Sequence, residues 1–238
     1  MTYCCHLFYC RISTVQHRYK GNTLSHFHDS GRFTAQLSQL SQMEEIMKKE
    51  VIIFIFDGYA DWEPAFLCSE LNSMESDYIV KTMSLDKNPK FSMGGFKVVP
   101  DYSVQDFPDS FSLLVLTGGT AWMEQKNNGV LPVVEYAVNH RIPIGAICNA
   151  VNFMAENGFL DQIPHTGNTL EFMKSQAPHY KGDVYFTERQ AVSASGIVTA
   201  NGSAALEFAK EIFLLIKNKP EDDIEKWYRM HKQGFYPV

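Results

Sequence analysis

The chain has 238 residues, 45% of them hydrophobic and 20% charged, proportions that suit one globular α/β domain with a sizeable core and some extra length. Its net charge of −6 argues against nucleic acid or a phosphate-binding surface spread over the molecule, and no apolar run approaches the roughly 20 residues that cross a bilayer. Five irregularly spaced cysteines (Cys4, Cys5, Cys10, Cys68 and Cys148) argue against a disulfide framework. With no secretory signal pattern, they point to a reducing, cytoplasmic setting.

Residues 1–42 differ in character from residues 43–238. Arg11, Arg18, Lys20 and Arg32 stand against Asp29 alone, a net +3 that leaves −9 for the rest of the chain. No period of 2 or 3.6 is sustained there. This segment is expected to be a disordered or spurious N-terminal extension. The cluster of Cys4, Cys5, His6 and Cys10 lacks the second ligand pair of a zinc site, so no metal is expected. The folded domain is expected over 48–238.

Its first element, VIIFIF (51–56), is a continuous β-branched and aromatic run, the pattern of a strand buried on both faces. A helix comes next, with Asp61 as cap, Pro64 in its first turn and Phe66, Leu67, Glu70 and Leu71 at helical spacing. The next strand is 78–85, then a glycine-broken excursion over 91–104. LLVLTGG (113–119) predicts a second buried strand ending in two glycines, and 130–140 predicts a helix. IPIGAI (142–147) predicts a third buried strand, and 149–158 a helix with a glycine at its C-terminus. Residues 191–202 predict one or two short strands, and 203–217 and 222–232 predict helices. Strands alternating with helices imply a doubly wound, mostly parallel sheet covered on both faces, with ligands beyond the carboxyl ends of the strands.

Three such strand ends carry chemistry. Cys148 directly follows one strand and precedes a helix. There it is either a small buried hydrophobe or a nucleophile ionised by the helix N-terminus. Cys68, at helical spacing among Phe66, Leu67 and Leu71, reads as packing. Glu63 either complements a helix dipole or stands beside Cys148. In the second case a protonated Glu63 would donate to a thiolate, its pKa raised by burial. Gly118 and Gly119 either make a tight turn or let the Gly119 amide join that of Cys148 or Asn149 as an oxyanion site. Of the histidines, His165 is the best placed as a base.

Taken together, VIIFIFDGYADWEPA, GGFKVVPDYSV, LLVLTGGTAW, PIGAICNAVNFMAENGFLD, HTGN and GIVTANGSAALEFA resemble the ThiJ/PfpI family of the class I glutamine amidotransferase-like superfamily, in its order and intervals over residues 49–216. The resemblance implies a flavodoxin-like fold, Cys148 as nucleophile with Glu63 in contact with it, and an oxyanion site at Gly119 and the Cys148 amide. Asn149, His165 and Asn168 are then expected to line the pocket, with Trp62 as a wall. It further implies a homodimer, a small-molecule or peptide substrate and no cofactor. Members with protease activity usually carry a histidine directly after the cysteine, where this chain has Asn149. Others carry one near the position of Asn168, and VTANGSAALE lacks a His-x-Glu pair. Without a placed base, amide hydrolysis forfeits roughly 10²–10⁴ in rate, so a glutaminase or strong protease is disfavoured. The expected function is cysteine-dependent, glyoxalase- or hydrolase-like action on small carbonyl or acyl substrates. The alternative is a redox stress sensor or chaperone-like protein that oxidises the same cysteine.

Overall fold

A computed structural model describes residues 48–236; the expectations for 1–42, including the Cys4, Cys5, His6 and Cys10 cluster, lie outside them. The first buried run forms β1 (Lys49–Phe54), whose Val51, Ile52, Ile53 and Phe54 are buried. Two parallel neighbours cover its edges: β2 (Tyr78–Ser84) pairs Val51 with Val80, and β6 (Leu113–Leu116) pairs Val51 with Leu113. Between these lie two short strands, β3 (Lys90–Phe91) and β4 (Lys97–Val98), which form a separate antiparallel hairpin, and β5 (Tyr102–Ser103), which joins β2. Then β7 (Ile144–Ile147) pairs with β6, and β9 (Ile197–Ala200) with β7, both parallel. The strand β8 (Ala191–Ala194) closes the edge antiparallel to β9.

The seven-stranded order is β5-β2-β1-β6-β7-β9-β8. The chain moves outward from β1 to one side, then returns to fill the other, so the switch point lies between β1 and β6. The sheet is mostly parallel, doubly wound and flavodoxin-like, as predicted. The segments after β1, β6 and β7 carry Glu63, Gly118 and Cys148, which brings these three residues to one end of the central strands.

Helices α1 (Ala65–Leu71), α5 (Ala205–Ile216) and α6 (Glu221–Gln233) pack against one another. Helix α2 (Leu131–Asn139) contacts β7, as does α3 (Asn149–Glu156), which also contacts α4 (Leu170–Gln176). The helix α4 was not predicted. Its start is nonetheless marked: the Thr169 hydroxyl accepts from the Phe172 amide, with Glu171 in the first turn and Lys174 in the last. Asp61 does not cap α1. Its carboxylate accepts from the Gly94 amide at 2.8 Å and ties the β3–β4 hairpin to the segment after β1. No helix among the described residues is long and apolar enough to cross a membrane.

Candidate active site

Helix α3 begins directly after Cys148, and the backbone turns sharply to allow it: Cys148 has φ 59° and ψ −128°. A non-glycine residue there is strained by roughly 1–3 kcal/mol, so the surroundings must hold it. They do so through pairing of β7 with β9, because the Cys148 amide donates to the Ala200 carbonyl at 2.9 Å while its own carbonyl accepts from Val151. The bend leaves the side chain half-buried at the strand end.

This corrects one expectation. The Cys148 amide is consumed within the sheet and cannot serve an oxyanion. The amide acting on the sulfur is that of Asn149, the first residue of α3, which favours the thiolate.

Glu63 is completely buried. It lies before α1, outside the helix, so dipole complementation does not account for it. One carboxyl oxygen, Oε2, accepts from the Gly118 amide at 2.5 Å, while Oε1 has no well-formed hydrogen bond. The Cys148 thiol lies close enough that each group perturbs the other's ionisation. Gly118 fits between them: a Cβ there would stand 2.6 Å from Cys148 Cβ and 2.7 Å from both Glu63 oxygens. Burial pushes the Glu63 carboxyl up to about 7, against the pull of the Gly118 amide and the thiol. Burial, then the Glu63 charge, pushes the Cys148 thiol up to about 11, against the hydrogen bonds from Asn168 and the Asn149 amide. The sequence predicted a thiol held ionised by its helix. Burial beside a carboxylate reverses that direction.

Gly119 has φ 148°, and a Cβ on it would meet the Gly58 carbonyl and the Phe56 ring at 2.7 Å, so both conformation and space require glycine. Its carbonyl accepts from Asn149 Nδ2 at 3.1 Å. Asn168 completes the surround: Nδ2 stands 3.5 Å from Cys148 Sγ and 3.3 Å from Asn149 Oδ1, and Oδ1 accepts from the Gly202 amide at 2.9 Å. Gly202 was not singled out from the sequence, yet a Cβ there would lie 2.8 Å from Sγ. Trp62 is half-exposed and its indole N–H reaches the Gly202 carbonyl at 3.5 Å, which places it at the rim.

His165 is not part of this arrangement. Its ring is fully buried, with Nδ1 donating to the Ile163 carbonyl at 2.7 Å and Nε2 accepting from the Tyr180 hydroxyl at 2.5 Å. Burial lowers its pKa, against the pull of the Ile163 carbonyl and Asp161. Both nitrogens are committed, so it holds loops together and supplies no base. Tyr180→Phe should therefore lower stability by about 1–3 kcal/mol, the cost of an unpaired buried acceptor, and leave the Cys148 alkylation rate unchanged. Denaturant melts and peptide mapping of alkylation check the two halves. Cys68 packs against the core, and burial pushes its thiol up to about 12. Among the described residues, no three His, Cys, Asp or Glu side chains are grouped to hold a metal ion.

Comparisons with known proteins bear on this site. The model of the DJ-1/PfpI family matches residues 49–214. A Bacillus subtilis protein named uncharacterized protease YdeA is 43% identical over 188 residues, covering 79% of this chain and 93% of that one. A second from the same organism, named uncharacterized protease YoaZ, is 32% identical over 191 residues, covering 77% and 91%. The crystal structure of a thiJ/pfpI family protein from Bacillus anthracis superposes with a TM-score of 0.72 at 34% identity, covering 78% of this chain and 91% of that one.

Proposed function

Given that the chain belongs to the DJ-1/PfpI family, we propose that it is a cysteine-dependent enzyme acting on small carbonyl or acyl substrates, with Cys148 as nucleophile and Glu63 as its proton acceptor. The observation that carries this reading is the strained turn at Cys148, which sets a thiol beside a buried carboxyl. A carboxyl raised to about 7 is matched to proton transfer near neutral pH. The thiol rests protonated and is ionised on demand.

As sulfur adds to the substrate carbonyl, a C–S bond forms and the thiol proton passes to Glu63. The carbonyl π pair moves to oxygen, which the amides of Gly119 and Asn149 hold. Return of the proton from Glu63 to that oxygen completes a hemithioacetal. With an acyl substrate the oxyanion instead collapses, the leaving group departs with the proton from Glu63, and attack of water on the resulting Cys148 thioester releases the acid and restores the thiol. Asn168 supports the sulfur through its amide. This route places the base on Glu63, so the absence of histidine at positions 149 and 168 does not empty the mechanism. A homodimer and a cytoplasmic setting belong to the same reading; sedimentation should report twice the 27.1 kDa chain.

The test is methylglyoxal consumption. The wild type should consume it, and Cys148→Ser should fall to background while melting within a few degrees of wild type. Equal consumption by the two proteins would remove the nucleophile.

A further inference from the structure

A cleft of about 380 Å³ adjoins the thiol site, a volume at the lower end of ligand pockets. Asn168 belongs to both, lining the cleft while its Nδ2 stands 3.5 Å from Cys148 Sγ. Asn201, which precedes the glycine packed against Sγ, lines it too. Phe186 and Leu170 add apolar surface, and the remaining charges are those of Glu188 and Arg189.

The segment bearing those charges is fixed. The buried Thr166 donates its hydroxyl to the Arg189 carbonyl at 2.7 Å, the Arg189 amide donates to the Thr187 carbonyl at 2.9 Å, and the Asn201 amide donates to the Gln190 carbonyl at 3.2 Å. The side chains of Glu188 and Arg189 remain exposed, and neither has an ion-pair partner among the described residues. The guanidinium acts at longer range on Glu211, whose carboxyl is raised by burial and pulled back by Lys210 and Arg189. A ligand with a single charge would meet its like sign in this cleft. One carrying both signs would meet two partners.

We propose that the cleft binds the zwitterionic backbone of an amino acid or dipeptide, carboxylate on Arg189 and ammonium on Glu188, beside the Cys148 thiol. The inference rests on Cys148 as the reacting group for its catalytic meaning, though binding itself does not require it. It narrows the substrates to carbonyl or acyl compounds of peptide size. Arginine suits a carboxylate through its paired N–H groups.

Calorimetric titration of the full chain with glycyl-leucine tests it. Wild type and Cys148→Ser should bind it alike, and its N-acetyl and C-amide forms should bind about tenfold more weakly. Arg189→Gln should erase discrimination against the amide, Glu188→Gln discrimination against the acetyl form, and Arg189→Lys should restore part of the first. Bound glycyl-leucine should also slow alkylation of Cys148 by iodoacetamide in wild type but not in Arg189→Gln. Absence of binding, or binding blind to blocked termini and to both substitutions, would overturn the proposal. Charge-dependent binding without turnover of any carbonyl compound would sustain the cleft and remove the reading of Cys148 instead.

Discussion

Replacing Glu63 by glutamine is expected to make Cys148 easier to alkylate and aldehyde turnover slower, two changes in opposite directions. The Glu63 charge is the second largest influence raising the thiol, after burial. Removing it lets the sulfur ionise at lower pH, and near neutrality the alkylation rate rises roughly tenfold for each unit the thiol falls. The same substitution deletes the proposed proton acceptor, which should slow carbonyl addition by roughly 10²–10⁴. A glutamine that merely perturbed packing would shift both rates the same way. Iodoacetamide labelling of the Cys148 peptide against pH, alongside kcat/KM for methylglyoxal, reads the two directions. If both fall together, Glu63 is not the base.

Stability should report the same group. A carboxyl raised from 4.5 unfolded to about 7 folded stabilises the native chain below pH 4.5, and that contribution is lost as pH rises through 7. The span corresponds to about 3 kcal/mol. Glutamine keeps an acceptor for the Gly118 amide and does not ionise, so its melting temperature should gain on wild type between pH 4.5 and 7, then run parallel. For a domain of this size the gain is on the order of 5–10 °C.

The contrast between what the sequence discloses and what it hides comes from the range of each interaction. The runs 51–56, 113–116 and 142–147 are apolar because those strands are buried on both faces, so the central sheet and its glycine and cysteine ends can be read locally. The resemblance named Glu63, Cys148 and Gly119 as a set. The partner of Asp61 is Gly94, 33 residues on, and the Cys148 amide is satisfied by Ala200, 52 residues on; neither leaves a local mark. His165 sits close to Asn168 in sequence, yet its ring turns to Tyr180. Thiol ionisation is the clearest case. Position at a helix start predicts a depressed pKa, whereas desolvation and a buried carboxylate, both products of tertiary packing, drive it upward. The seven-residue α4 was within reach, since Thr169 at its start and the charges at its ends are local signals.

Gly118→Ala should disrupt the site through crowding alone, without the added strain of the positive φ at Gly119. No positive φ is needed at Gly118, so the backbone would accept alanine and the penalty is purely one of space. The added carbon would overlap Cys148 Cβ and both oxygens of Glu63, all attached to buried or strained backbone. Relief requires moving the thiol and carboxyl apart or breaking the Gly118 hydrogen bond to Glu63. Overpacking of this kind costs about 1–3 kcal/mol, and a displacement near 1 Å between reacting groups costs about 10²-fold in rate. Gly196→Ala supplies the comparison: φ there is 81° but nothing lies within 4 Å of the new carbon, so about 1–2 kcal/mol of strain should appear with turnover unchanged. Similar losses of stability with unlike losses of kcat/KM would tie activity to the spacing of Glu63 and Cys148. Equal kcat/KM in the two variants would mean that their separation does not matter to the chemistry.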